Sequence, residues 1–114
     1  MPAARSAPAK MRAGTQFRRV LQSGTRAGGE LLTVHVLPEQ VATRAGFIAG
    51  RGVGGAVARN RARRLMREAW RMVDPAVRPG THVVVVSRPG IRTARTGEVA
   101  AELTALLGRM GVMD

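Results

Sequence analysis

Apolar residues recur along this chain with two periods, and the changes of period mark the elements. Phe17, Val20 and Leu21 follow the i, i+3, i+4 spacing of a short helix over residues 15–23, with Thr15 placed to cap it and Gly24 to stop it. Over residues 31–37 the pattern alternates. Leu32, Val34 and Val36 fall on one face of a strand, Thr33 and His35 on the other, and Pro38 ends it. Residues 44–50 read as a second, weaker strand, and the segment from Thr25 to Thr43 has room for one more. Residues 82–87 are a continuous β-branched run, the pattern of a strand covered on both faces. A last helix starts near Thr96, with Val99, Leu103, Leu106, Leu107 and Met110 as its stripe and Gly111 as its stop.

The helix predicted over residues 56–73 has two characters. At ~100° per residue, Ala58, Ala62, Leu65, Met66, Ala69, Trp70 and Val73 share one arc of about 140°. Arg59, Asn60, Arg63, Arg64, Arg67 and Arg71 share a second, while Val57, Arg61 and Glu68 lie outside both. One face can therefore bury into a core while the other presents guanidinium groups. Glu68 is the sole acid within the helix, so i,i+4 ion pairs cannot neutralise the stripe.

These elements predict an α/β (α+β) domain with three helices packed on a small mixed sheet of about four strands. Residues 1–14, rich in Ala, Pro, Arg and Gly, read as a flexible basic arm, and residues 15–114 as a single domain.

Charge sharpens the picture. The 114 residues carry a formal net charge of +12, almost all of it arginine, with Lys10 the only lysine. Such an excess calls for a polyanion, and arginine's planar fork suits phosphate oxygens. There is no cysteine, which excludes disulfides and thiolate metal sites and agrees with a cytoplasmic location. No apolar run approaches the ~20 residues of a membrane span, and no secretory signal is expected at the N-terminus.

Candidate chemistry is sparse. Gly50, Gly52 and Gly55 match a Gly-x-Gly-x-x-Gly spacing, but no P-loop ending follows and the next strand ends in Ser87-Arg88 rather than an acid. The run fits either a loop that lets an RNA backbone approach or a plain connection. His35 can face a base or be a half-exposed strand residue, and Phe17 can be core or stacking platform. His82 reads as structural. Glu98 and Glu102 share a face of the last helix and read as solvated. The seven acidic residues form no close pair suited to a two-metal site, so no catalytic residue and no metal ligand is assigned.

One combination of residues is specific. Arg59-Asn60-Arg61, then Arg63-Arg64, Leu65, Arg67, Glu68, Ala69 and Trp70, resembles the signature of the protein subunit of bacterial ribonuclease P. Gln16-Phe17-Arg18-Arg19-Val20 resembles that family's first helix. Gly46-Phe47-Ile48 and Val53-Gly54 precede the signature, and the stretch from Val83 to Gly90 resembles the strand and turn that follow it. The likeness covers residues 10–110.

The resemblance implies a non-catalytic partner of a ribozyme, whose RNA removes the 5′ leader of precursor tRNA with magnesium held mainly by RNA. It implies a two-layer sandwich with a left-handed crossover through the signature helix, against the general right-handed rule. It implies that Arg51, Arg59, Asn60, Arg61, Arg63, Arg64 and Arg67 bind the catalytic RNA, and that Phe17 and His35 bind the precursor leader. No membrane and no obligate protein partner is implied. This sequence departs from the family where Ser-Lys-Lys is usual and Gly50-Arg51-Gly52 stands, and at Leu21, where a second aromatic is common. The alternative is a non-enzymatic RNA-binding protein, such as a ribosomal protein or an RNA chaperone. A helix-turn-helix DNA binder would need a helix just before the basic one, which the glycine run opposes.

Overall fold

A computed structural model describes residues 9–10, 14–38 and 40–113. The strands are β1 (Ala9–Lys10), β2 (Thr25–Gly28), β3 (Leu32–Leu37), β4 (Arg44–Ala49) and β5 (His82–Ser87). The helices are α1 (Thr15–Ser23), α2 (Ala56–Val73) and α3 (Thr96–Arg109), with 3₁₀ turns at Asp74–Ala76 and Pro89–Thr93. The sheet order is β1-β4-β5-β3-β2. β4 and β5 are parallel neighbours joined through α2, whereas β3 pairs antiparallel with both β5 and β2. The mixed sheet of four full strands with three helices is the architecture that the pattern predicts. The extra strand between Thr25 and Thr43 is β2. Within the arm expected over residues 1–14, Ala9–Lys10 pair with Arg44 and Ala45 at the sheet edge, and the remaining arm residues up to 13 lie outside the described residues.

The main core lies between one sheet face and α2 with α3. Leu32, Val34, Val36, Val83 and Val85 meet Leu65, Met66, Ala69, Trp70 and Val73 of α2 and Val99, Leu103, Leu106 and Leu107 of α3. The period-two face of β3 and the apolar arc of α2 thus bury as their spacing demands. Trp70 is 3% exposed and meets Phe47 edge-to-face at 6.4 Å between ring centroids. Val84 and Val20 are buried together on the opposite face under α1, so β5 is covered on both sides. α1 covers only part of that face. Thr33, His35, Ile48 and Val86 remain half-buried beside it.

The start of α1 differs from the sequence reading. Thr15 is the first helical residue, not the cap. Gly14 occupies the cap position at φ 79° with no side chain to offer, whereas Gly24 ends the helix as expected, in extended backbone.

Candidate nucleic-acid interface

α2 holds its basic stripe rigidly because its other arc is locked into the core. Arg59, Asn60, Arg64, Arg67 and Arg71 are exposed, and Arg63 is half-buried with its guanidinium donating to the Asn60 side-chain oxygen. The acids that could neutralise these cations are engaged elsewhere. Glu68 accepts a hydrogen bond from Thr96 Oγ1 at 3.1 Å, and Glu98 accepts from the backbone N–H of Arg95 at 2.8 Å. A crowd of guanidinium groups this dense favours a polyanion, which would relieve its self-repulsion.

Arg61 is placed differently from its neighbours. Nη1 donates to the carbonyl oxygens of Ile91 and Arg92 at 3.2 and 3.1 Å, and Nη2 donates to that of Ala94 at 2.8 Å. Its position outside the basic arc carries it toward the Pro89–Thr93 turn.

The glycine run forms a tight loop into α2. Gly52 and Gly54 have φ of +86° and +138°, a backbone region that a side chain would strain. Val53 is fully buried and pins the loop, while Arg51 is exposed at its tip. The Gly50 N–H donates to the Ser87 carbonyl at 3.1 Å, tying the loop to the end of β5.

A second surface lies on the open sheet face. The cross-strand register runs Arg26–His35–Val84–Gly46, and the next row runs Gly28–Thr33–Val86–Ile48. Phe17 covers the Gly46 end of the first row, leaving Arg26 and His35 beside a floor of Val86 and Ile48. Phe17 from α1 and His35 from β3, expected to share a function, thus stand over the same sheet face, with Val84 between them in the register. Phe17 is half-buried against the Val20–Val84 cluster, so it packs on one side and stays open on the other. Burial, and then the nearby Arg26 charge, lowers the His35 pKa from its ordinary value. Its imidazole is therefore neutral near pH 7, able to donate from one ring nitrogen and accept at the other. His82 is buried, and its pKa is lowered by burial, then by Arg44 and Arg19, against a raising hydrogen bond with the Ala42 backbone.

Glu102 is not the solvated residue that the sequence suggests. Its carboxylate accepts from three consecutive backbone N–H groups, those of Glu30, Leu31 and Leu32, at 3.1, 2.8 and 2.7 Å. It ties α3 to the β2–β3 turn, which Arg88 also grips by donating from Nη1 to the Gly29 carbonyl at 2.6 Å. No local pattern announces such a pairing across 70 residues or more. Among the described residues, no group of three His, Cys, Asp or Glu could hold a metal ion, and no helix is long and apolar enough to cross a membrane.

A small α+β sandwich that buries one side of a helix and coats the other with arginine, beside a half-open sheet face, defines a polyanion-binding protein. The ribonuclease P family model matches residues 6–111. The ribonuclease P protein component of Symbiobacterium thermophilum is 36% identical over 107 residues, covering 92% of this chain and 93% of that protein. That of Chloroflexus aurantiacus is 41% identical over 100 residues, covering 86% and 74%. Among solved structures, the Staphylococcus aureus RNase P protein superimposes with a TM-score of 0.78 at 20% identity, covering 92% of this chain and 97% of that one. The Thermotoga maritima RNase P protein gives 0.76 at 24% identity, covering 89% and 96%. The chain belongs to the ribonuclease P protein family.

Proposed function

We propose that this chain is the protein component of a ribonuclease P, acting with a catalytic RNA to remove the 5′ leader of precursor tRNA. The observation that carries the reading is the family signature laid out as a solvent-facing stripe on α2. Arg59, Asn60, Arg64 and Arg67 stand exposed on α2 with Arg63 half-buried among them, and Arg51 is exposed on the preceding loop, so all six are available to the catalytic RNA. The half-open sheet face that carries Phe17 and His35 suits a single-stranded leader, since an aromatic ring and a neutral imidazole can stack on bases and contact their edges. The protein's part is to bind and align. The donor set does not fit a protein-held magnesium site, because Glu68, Glu98 and Glu102 serve hydroxyl and backbone donors. Magnesium therefore belongs with the RNA in this reading, and no bond-breaking step is assigned to a side chain.

Reconstitution tests this. Protein freed of RNA should leave precursor tRNA intact. Added catalytic RNA and magnesium should yield a mature 5′ end bearing a phosphate. Metal-dependent cleavage by the RNA-free protein would overturn the proposal, as would copurification with ribosomal RNA in place of one structured RNA.

A further inference from the structure

Arg61 sits in the middle of the basic signature, yet its guanidinium grips three main-chain carbonyls of the segment after β5. That segment is built around buried anchors, Ile91 and Ala94, with Ile91 N–H donating to the Arg88 carbonyl and Ala94 N–H to that of Ile91. Three carbonyls converging on one point concentrate negative potential, and a planar fork of N–H donors matches it. Further along the same side of α2, Glu68 accepts from Thr96 and fixes the far end of the segment.

The consequence lies at Arg92. Its own carbonyl is one of the three that Arg61 holds, while its side chain is exposed and lies over the glycine loop. A Cβ on Gly54 would stand 3.7 Å from Arg92 Cζ and 3.8 Å from Nε. Arg92 and Arg61 line one shallow groove with Gly55, Ala56, Val57 and Ala58, continuous through Val57 with the groove of Asn60, Arg64 and Arg67. Arg92 thus extends the basic stripe past the start of α2, from an element about 30 residues away in sequence. Three of the five N–H donors of Arg61 are taken by those carbonyls, so most of its fork is committed to the turn.

We propose that Arg61 is a positioning residue for RNA binding, holding the Pro89–Thr93 turn so that Arg92 is the phosphate contact at the head of the α2 stripe. This rests on the ribonuclease P reading above. Arg61→Lys keeps the charge but loses the fork, so the two possible roles of Arg61 separate. The probe is the catalytic RNA, bound at several salt concentrations by wild type, Arg61→Lys, Arg92→Ala and the double variant. Both single variants should weaken binding several-fold, and each should make the salt slope shallower by about one, as for one phosphate fewer neutralised. The double variant should lose no more than either single. Amide hydrogen exchange at Ile91 and Ala94 should quicken in Arg61→Lys but not in Arg92→Ala. Additive losses, wild-type binding by Arg61→Lys, or an unchanged slope in Arg92→Ala would overturn the proposal. An Arg61→Lys protein that melts below the assay temperature would overturn it too, by making Arg61 a requirement of the whole fold. Failure of the wild type to bind the catalytic RNA would remove the ribonuclease P reading and this proposal together, whereas the other failures remove this proposal alone.

Discussion

The ring of Phe17 rests on Gly46, so close that a Cβ on Gly46 would stand 2.5 Å from ring atom Cε1. The bare backbone of β4 is the seat that lets α1 lie against the sheet with the far end of its aromatic ring set on Gly46. Gly46→Ala should expel the ring and weaken precursor tRNA binding, with less effect on mature tRNA, which lacks the leader. Phe17→Ala should do the same while costing about 1–2 kcal/mol of stability, below the roughly 3–5 of a fully buried phenylalanine, because the ring is half-exposed. Melting curves beside the two binding assays check this. Equal losses for precursor and mature tRNA would show the ring to be packing alone.

Arg59, Arg63 and Arg67 recur every four residues on α2 and lie outside its buried arc. Replacing all three by Ala should leave the melting temperature nearly unchanged, since Ala is a good helix former. The salt slope of catalytic-RNA binding should become shallower by about three, one for each phosphate left unneutralised. An unchanged slope would reduce the stripe to a solvated face.

Glu102 holds the β2–β3 turn through three N–H groups. Glu102→Ala leaves those donors without their acceptor and should cost about 2–3 kcal/mol, in the range for hydrogen bonds to a charged group. Denaturant titration measures the loss, and faster amide exchange at Leu31 and Leu32 locates it. A change within a few tenths of a kcal/mol would mean that water replaces the carboxylate freely.

Both histidines have folded-state pKa values below the ordinary 6.5. In the window between the two states, the unfolded chain binds more protons, so stability rises with pH there. The contribution is complete above pH 6.5 and is lost as the pH falls through the lowered values. Denaturation midpoints from about pH 7.5 to about pH 5 should decline, and His35→Gln with His82→Gln should flatten the decline. An equal slope in that double variant would assign the effect to other groups.

The two arcs of α2, the alternating face of β3 and the doubly covered β5 were legible in the sequence because each depends on spacing within one element. Once backbone geometry sets about 3.6 or 2 residues per repeat, the side that can be buried is determined locally. The basic stripe was legible for the same reason. β2 was visible only as a gap with room for a strand, because Thr-Arg-Ala-Gly is short, polar and mostly exposed, and pairing with β3 alone makes it a strand. The parallel union of β4 with β5, the seat of Phe17 on Gly46, the carbonyl grip of Arg61 and the N–H cradle of Glu102 were decided by tertiary structure. In each, the partners lie about 30 or more residues apart. The ring of Phe17 is selected by the space above a residue without a side chain, and the other three by backbone groups that must be satisfied once water is excluded. Sequence spacing shows which side chains can form a face. Whether a charge on the edge of that face meets solvent or a neighbouring carbonyl depends on which other element packs beside it.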